Sequence, residues 1–338
     1  VLPTCFGIIS RSSLESSGIF RIRNIPVFNL RGQGVLIGII DTGIDYTNPI
    51  FTYADNTTRI VSIWDQTISS GNPPPHMEYG TQFTREQINE ALQSEDPFSI
   101  VPSRDEIGHG TMIAGIAGGN EVPDSNFYGV APDAEFVVVK LKPAKKFIRD
   151  FFFIAEDAVC FQENDIFLGL IHLYEMSIAL QRPIAICIAL GSSQGAHDGL
   201  GTLSNFLSGI ASSPGMAMVV AAGNEGNARR HFSGKVNPTT GYDTVELNVG
   251  ENERGFTMEL WGTPPDVYTI DILSPTGEYI PRISVGRNEH REIAFIFEAT
   301  VIYIDYQMTE SQSGGQLILI RFENPTSGIW RFNVYERR

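Results

Sequence analysis

From residue 35 to residue 218 short, uninterrupted apolar runs rich in Val and Ile alternate with amphipathic stretches, and this alternation restricts the fold more than any other feature. A strand that is apolar at every position, not every second one, is covered on both faces, as in a parallel sheet flanked by helices. Four such runs stand at 35–40, 135–141, 184–190 and 216–222, the last apolar enough to predict a central strand. Between them, 164–180 sets Phe167, Leu170, Ile171, Tyr174 and Ile178 on one helical face and is stopped by Pro183. Leu200, Leu203, Phe206, Leu207 and Ile210 form a second stripe, closed by Pro214 and Gly215. Strand and helix in alternation predict an α/β fold on a doubly wound parallel sheet, with both helices lying on it.

After about residue 241 the texture changes to runs at 244–249, 257–261, 268–273, 293–297, 301–306, 316–322 and 330–335, separated by turn clusters such as Thr263-Pro264-Pro265. This spacing predicts an all-β sandwich. Within 330–335, Trp330, Phe332 and Val334 should face inward and Arg331, Asn333 and Tyr335 outward, and Trp261 and Trp330 should be buried. The predicted domains are an α/β part over 1–240 and the sandwich over 241–338. The stretch 51–101, which holds Pro73-Pro74-Pro75 and one short helix at 85–92, reads as a surface insertion.

Charge narrows the function. Lys and Arg number 24 against 39 Asp and Glu, a formal charge of −15, which excludes the basic surface that nucleic acid requires. No apolar run approaches the roughly 18 residues of a membrane span. Cys5, Cys160 and Cys187 are too few and too scattered for a disulfide framework or a structural zinc site. The chain begins at Val1, as expected of a mature or excised piece.

In an open α/β sheet, functional groups collect where strands end at their carboxyl edge. The run 35–40 leads into Asp41-Thr42-Gly43-Ile44-Asp45, 184–190 into Gly191-Ser192-Ser193, and 216–222 into Gly223-Asn224-Glu225. A fourth element, Gly108-His109-Gly110-Thr111, opens a short helix rich in small residues. A helix N-terminus disfavours the imidazolium and keeps His109 basic, while a carboxylate such as Asp41 on its other ring nitrogen would fix the tautomer. His76, His172, His197, His231 and His290 stand alone and read as structural. A second Asp-Thr-Gly or Asp-Ser-Gly, which an aspartic protease needs, is absent. Gly32-Gln33-Gly34 precedes its strand, whereas a dinucleotide loop must follow one.

Asp41-Thr42-Gly43-Ile44-Asp45, His109-Gly110-Thr111 and Ala221-Ala222-Gly223-Asn224, in that order, resemble the aspartate, histidine and oxyanion-hole blocks of the subtilisin-like serine proteases, the subtilases. The similarity extends over about residues 1–235 and includes Gly129-Val130-Ala131-Pro132 ahead of a strand. It implies a serine endopeptidase acting on protein or peptide substrates. Asp41 would orient and charge the pair, His109 would be general base and then acid, and Asn224 would donate to the oxyanion. Leu190, Gly191, Ser192 and Gly223 would bind substrate, and no cofactor is implied. The stretches 36–46, 63–67 and 139–146 are similar to clostridial subtilases of spore germination. That narrower resemblance implies a propeptide removed by self-cleavage at or near Val1, a jelly-roll domain inserted ahead of the serine block, and a secreted or spore-associated location.

The family's serine block is Gly-Thr-Ser, and no Gly-Thr-Ser occurs here. The expectation is that the nucleophile lies beyond residue 338, that the sheet lacks its C-terminal part, and that this segment alone is inactive. The alternative is a catalytically inactive subtilase serving as a binding or signalling platform, against which intact Asp41 and His109 stand. Met112 occupies the place of a second His in many subtilases, and the loop 119–127 lacks the Asn-rich pattern of the familiar calcium site, so no metal ligand is predicted and calcium is left open without a recognisable loop to hold it. Asp45, Asp105 and Glu225 read as solvated surface carboxylates.

Overall fold

The computed structural model describes residues 18–19, 25, 29–122, 127–284, 289–310 and 313–337. The expected cleavage junction at Val1, the thiol of Cys5 and the middle of the 119–127 loop lie outside them. Contacts divide the chain into two units, one comprising Val1–Pro143, Phe161–Gly191 and Leu207–Ala222, the other Ala144–Cys160, Ser192–Phe206 and Gly223–Arg338. The division is therefore not a single cut at 240. The Arg321 guanidinium lies 4.1 Å from the ring centroid of Phe151 in α3 (Lys146–Phe151), the Gly195 amide donates to Glu259 at 2.8 Å, and such contacts group both short stretches with the sandwich.

In the first unit, six strands form one sheet in the order β3-β2-β4-β1-β5-β6. They are β1 (Leu36–Asp41), β2 (Ile60–Asp65), β3 (Thr81–Thr84), β4 (Glu135–Lys140), β5 (Ile184–Ile188) and β6 (Met216–Val220). All neighbours run parallel except β2 and β3. The central strands are buried at every position because helices cover both faces. A Cβ on Gly118 of α2 (His109–Gly118) would meet Ile37 and Phe136, whereas one on Gly169 of α4 (Glu163–Leu180) would meet Ile40 and Val139. Ile37 and Ile40 point to opposite faces by strand alternation, so the sheet is doubly wound, as expected.

Three expectations are corrected. The stretch 51–101 is not a surface insertion: β2 lies inside the sheet, and α1 (Arg85–Gln93) buries Ile88 and Ala91 in the core shared with Ile37, Ile39 and Phe136. Arg59, 1% exposed, explains how this stretch is held, since its guanidinium donates to the carbonyls of Pro132, Ala134, Ile50 and Gly118 at 2.6–2.7 Å. On α4 the buried face runs through Ile166, Gly169, Leu170, Leu173 and Ser177, while Ile178 is 57% exposed. Small residues let the helix approach the strands, which turns the helix away from the face that the large residues suggest. Finally, β6, expected to be central, is an edge strand among the described residues. Among the described residues it pairs only with β5, and Val219 and Val220 are exposed.

In the second unit, two four-stranded antiparallel sheets carry one core. One orders β10 (Tyr279–Ile280), β9 (Val267–Leu273), β14 (Gly328–Arg337) and β7 (Tyr242–Val249), and the other β11 (Glu289–Ala294), β12 (Val301–Gln307), β13 (Gln316–Glu323) and β8 (Gly255–Gly262). Ile270 and Phe332 from the first meet Ile304 and Phe322 from the second in that core, which makes the unit a sandwich. Trp330, Phe332 and Val334 are buried in alternation, as predicted, and Trp330 packs edge-on against Phe295 and Phe322. Trp261 is only half-buried, its indole N–H donating to Glu259 at 2.9 Å. The run 293–297 is not one strand: β11 stops at Ala294, and the Glu278 carboxylate accepts both the Ile296 and Phe297 amides, turning those side chains to solvent.

Arg59→Met should destabilise the protein by at least about 3 kcal/mol, since it strands several buried carbonyls at about 1–3 kcal/mol each. Urea unfolding reads this directly, and a change within about 0.5 kcal/mol, the surface norm, would contradict a core role for this stretch.

Candidate active site

β1 delivers Asp41 to the carboxyl edge of the sheet, where it has no exposure. Its Oδ1 accepts from the Thr42 amide at 2.7 Å and lies 2.7 Å from His109 Nδ1. A carboxylate can only accept, so Nδ1 carries a proton, and in the neutral ring Nε2 then holds the lone pair. The side chains of His109 and Asp41 are 37% and 1% exposed, so the acid is hidden and the base is presented to solvent. Gly110 makes the approach of helix and loop feasible, because a Cβ there would sit 2.2 Å from the Gly43 carbonyl oxygen and 3.2 Å from Asp41 Cβ.

His109 is the first residue of α2, and the residue before it, Gly108, has no side chain with which to cap the helix. The cap comes from elsewhere. Thr42 Oγ1 accepts the Gly110 amide at 2.9 Å, and Asp105 accepts the Thr111 amide at 2.8 Å. Asp105 also accepts the Thr111 hydroxyl at 2.7 Å, the Thr42 hydroxyl at 2.7 Å and the Gly108 amide at 2.8 Å. Burial pushes its carboxyl up, but the hydrogen bonds from Thr111, Thr42 and Gly108 outweigh that and hold it below the usual carboxylate range. Asp105 is thus not the solvated carboxylate expected of it. The spacing Asp105 to His109 was the one available signal, and it is mute until α2 is known to begin at His109. Asp45 serves its own turn, accepting the Thr47 amide and hydroxyl, and Glu225 is exposed beside Arg230.

A second unforeseen residue is Lys140, which stands opposite Asp41 in the β1–β4 register. Its side chain is 9% exposed, with Nζ 2.6 Å from the Arg104 carbonyl, 2.9 Å from Glu106 and 3.7 Å from Asp65. The fully buried Asp65 in turn accepts the Ser103 hydroxyl at 2.6 Å.

Leu190 and Gly191 follow the end of β5 at Ile188 as irregular chain, two residues short of the predicted strand end. The Ala221 amide, just past β6, donates to the Ile188 carbonyl at 3.0 Å, so these two strand ends are adjacent. Ser192, Gly223 and Asn224 belong to the second unit and are exposed, and Gly223 turns the chain at φ +88°. Of the histidines read as structural, His172 is 1% exposed, lies edge-on to Trp64, and is pushed down to about 4 by burial, which keeps it neutral. Among the described residues no group of three or more His, Cys, Asp or Glu is placed to hold a metal ion.

A doubly wound sheet with a buried acid and a helix-opening base at its carboxyl edge is the arrangement of one class of hydrolytic fold. The subtilase family model matches residues 32–248, and the chain belongs to that family. The structure of the Clostridium perfringens CspB protease is similar at 30% identity and a TM-score of 0.82, over 97% of this chain and 65% of that one. Two subtilisin-like proteases of Arabidopsis thaliana, SBT1.9 and SBT2.2, are 30% and 33% identical over 128 and 132 residues, which is 34% and 33% of this chain. The matched segments are 17% and 15% of those two proteins, so the likeness covers only a small part of their length.

A carboxyl held below its ordinary value stabilises the fold above the unfolded value, about pH 3.9, and loses that contribution as pH falls through the folded value. The stability gap between the native protein and Asp105→Asn should therefore be constant near neutrality and narrow below about pH 4. Paired urea titrations from pH 7 to pH 2 measure it, and a gap that widens towards acid would contradict the assignment.

Proposed function

We propose that this protein is a serine endopeptidase whose chain supplies the acid, the base and the oxyanion donor, with the nucleophilic serine provided by sequence beyond residue 338. The observation that carries this reading is the 2.7 Å hydrogen bond from the partly exposed His109 side chain to fully buried Asp41. In the reaction a serine hydroxyl attacks the scissile carbonyl and gives its proton to His109 Nε2. Asp41 stabilises the resulting imidazolium, which then protonates the leaving amine. Water repeats the sequence on the acyl-enzyme and frees the acid product. Asn224, just after the glycine turn at Gly223, would donate to the tetrahedral oxyanion, and Leu190, Gly191 and Ser192 would meet the substrate backbone. Among the described residues the outer edge of β6 is unpaired and Val219 and Val220 are exposed, which supports a further segment joining the sheet. Protein substrates, a cleaved propeptide and a secreted or spore-associated site of action follow from the family reading.

The product of the complete gene should hydrolyse a fluorogenic peptide, and residues 1–338 alone should not. Asp41→Ala should lower kcat by about 10⁴, the scale found for this acid in subtilisin. Asn224→Ala should lower kcat by about 10²–10³ with little change in KM, the range measured on removing subtilisin's own donor. Turnover by residues 1–338, or turnover indifferent to Asp41→Ala, contradicts the proposal. A folded gene product with no turnover supports the inactive-platform alternative.

A further inference from the structure

We infer that Asp105 is a positioning residue that sets His109 against Asp41 by bracing Thr42 and the first turn of α2, without itself touching the substrate. The kinetic consequence rests on the peptidase reading above, whereas the structural consequence does not.

The reason lies in where His109 sits. Its ring direction is set by the first turn of a helix, and the amides of a first turn have no partners within the helix. Gly108 at the cap position is left-handed at φ +83° and has nothing to offer them, so the turn would fray without outside support. Asp105 supplies that support on both sides of the gap. On the helix side one carboxylate takes the Gly108 amide, the Thr111 amide and the Thr111 hydroxyl. On the strand side it takes the Thr42 hydroxyl. Thr42 is then tied twice into the pair, since its amide donates to Asp41 Oδ1 and its hydroxyl oxygen accepts the Gly110 amide next to His109. Thr111 closes the circuit by accepting the Asp45 amide at 2.8 Å. One anion at the positive end of a helix thus fixes the distance between the strand that carries the acid and the helix that carries the base.

The loop bearing Asp105 is itself anchored to β4, the neighbour of β1, and to β2 beyond it. Lys140 holds the Arg104 carbonyl and Glu106 on either side of Asp105, and buried Asp65 holds Ser103. A carboxylate that merely stabilised a helix end would need no such frame. Here the frame refers the position of Asp105 to β4 and β2, with Lys140 in register with Asp41 itself.

The test uses the product of the complete gene and two readings, peptide hydrolysis and the low-field proton resonance of the His109 Nδ1–H in ¹⁵N-histidine-labelled protein. In Asp105→Ala that resonance should broaden or vanish, and kcat should fall about 10²-fold with KM within about threefold, the scale of a misplacement near 1 Å. Asp105→Glu, which keeps the charge, should restore part of both. If Asp105→Ala does not fold, Thr42→Val against Thr42→Ser decides the matter, because only the serine keeps the hydroxyl that joins Asp105 to Gly110. An unchanged resonance in the folded Asp105→Ala or Thr42→Val protein overturns the inference, as does a loss confined to KM. Should the native protein hydrolyse nothing, the peptidase reading fails, and the resonance alone still confirms or refutes the positioning role.

Discussion

A carboxylate without water is the constraint on which the rest of this site depends. Asp41 is wholly buried, and an ion of that size leaves water at a cost of several kcal/mol unless protein groups replace its hydration. Two of its replacements are in place on one oxygen, the Thr42 amide and the His109 ring, and hydrogen bonds to a charged group contribute about 1.5–3 kcal/mol each. The acid therefore needs the histidine as much as the histidine needs the acid. Several features exist to let them meet: a helix that begins at His109, a glycine at 110 where any Cβ would strike Gly43, and a strand buried on both faces that ends at Asp41.

The surrounding charges are arranged with the same economy. Lys140 rises from the strand next to β1 and ties down both flanks of Asp105, while Asp65 on β2 is satisfied by Ser103, Thr67 and the lysine. Arg59 performs the matching task at the other end of the sheet, its guanidinium donating to four backbone carbonyls around the start of β2. Lys140, Asp65 and Arg59 each join one stretch of chain to another, so local changes at these positions reach beyond their own strands through the backbone.

What was legible in the sequence followed from short-range regularities. Continuous apolar runs located four of the six strands of the sheet, and the acid at the end of one of them marked Asp41. The alternation of Trp330, Phe332 and Val334 announced a sandwich face. Features that depend on partners far along the chain were hidden. β2 carries Ser62 and Asp65 among its apolar residues and sits beside a proline-rich loop, so nothing local distinguishes it from an insertion until Arg59 is seen to bind three distant carbonyls. Asp105 also binds the Thr42 hydroxyl, 63 residues away, and no spacing rule spans that distance. On α4 the large residues misled, because Gly169 and Ser177 decide which face can approach the sheet.

The central claim, that Asp41 and His109 form a working acid–base pair for a serine supplied by later sequence, is tested most directly by fluorophosphonate labelling of the complete gene product. The reagent reports an activated serine without requiring knowledge of the substrate. The account predicts a single adduct, mapped by mass spectrometry to a serine after residue 338, and its disappearance in His109→Ala. An adduct that forms equally well without His109, or a folded protein that never labels, would contradict it.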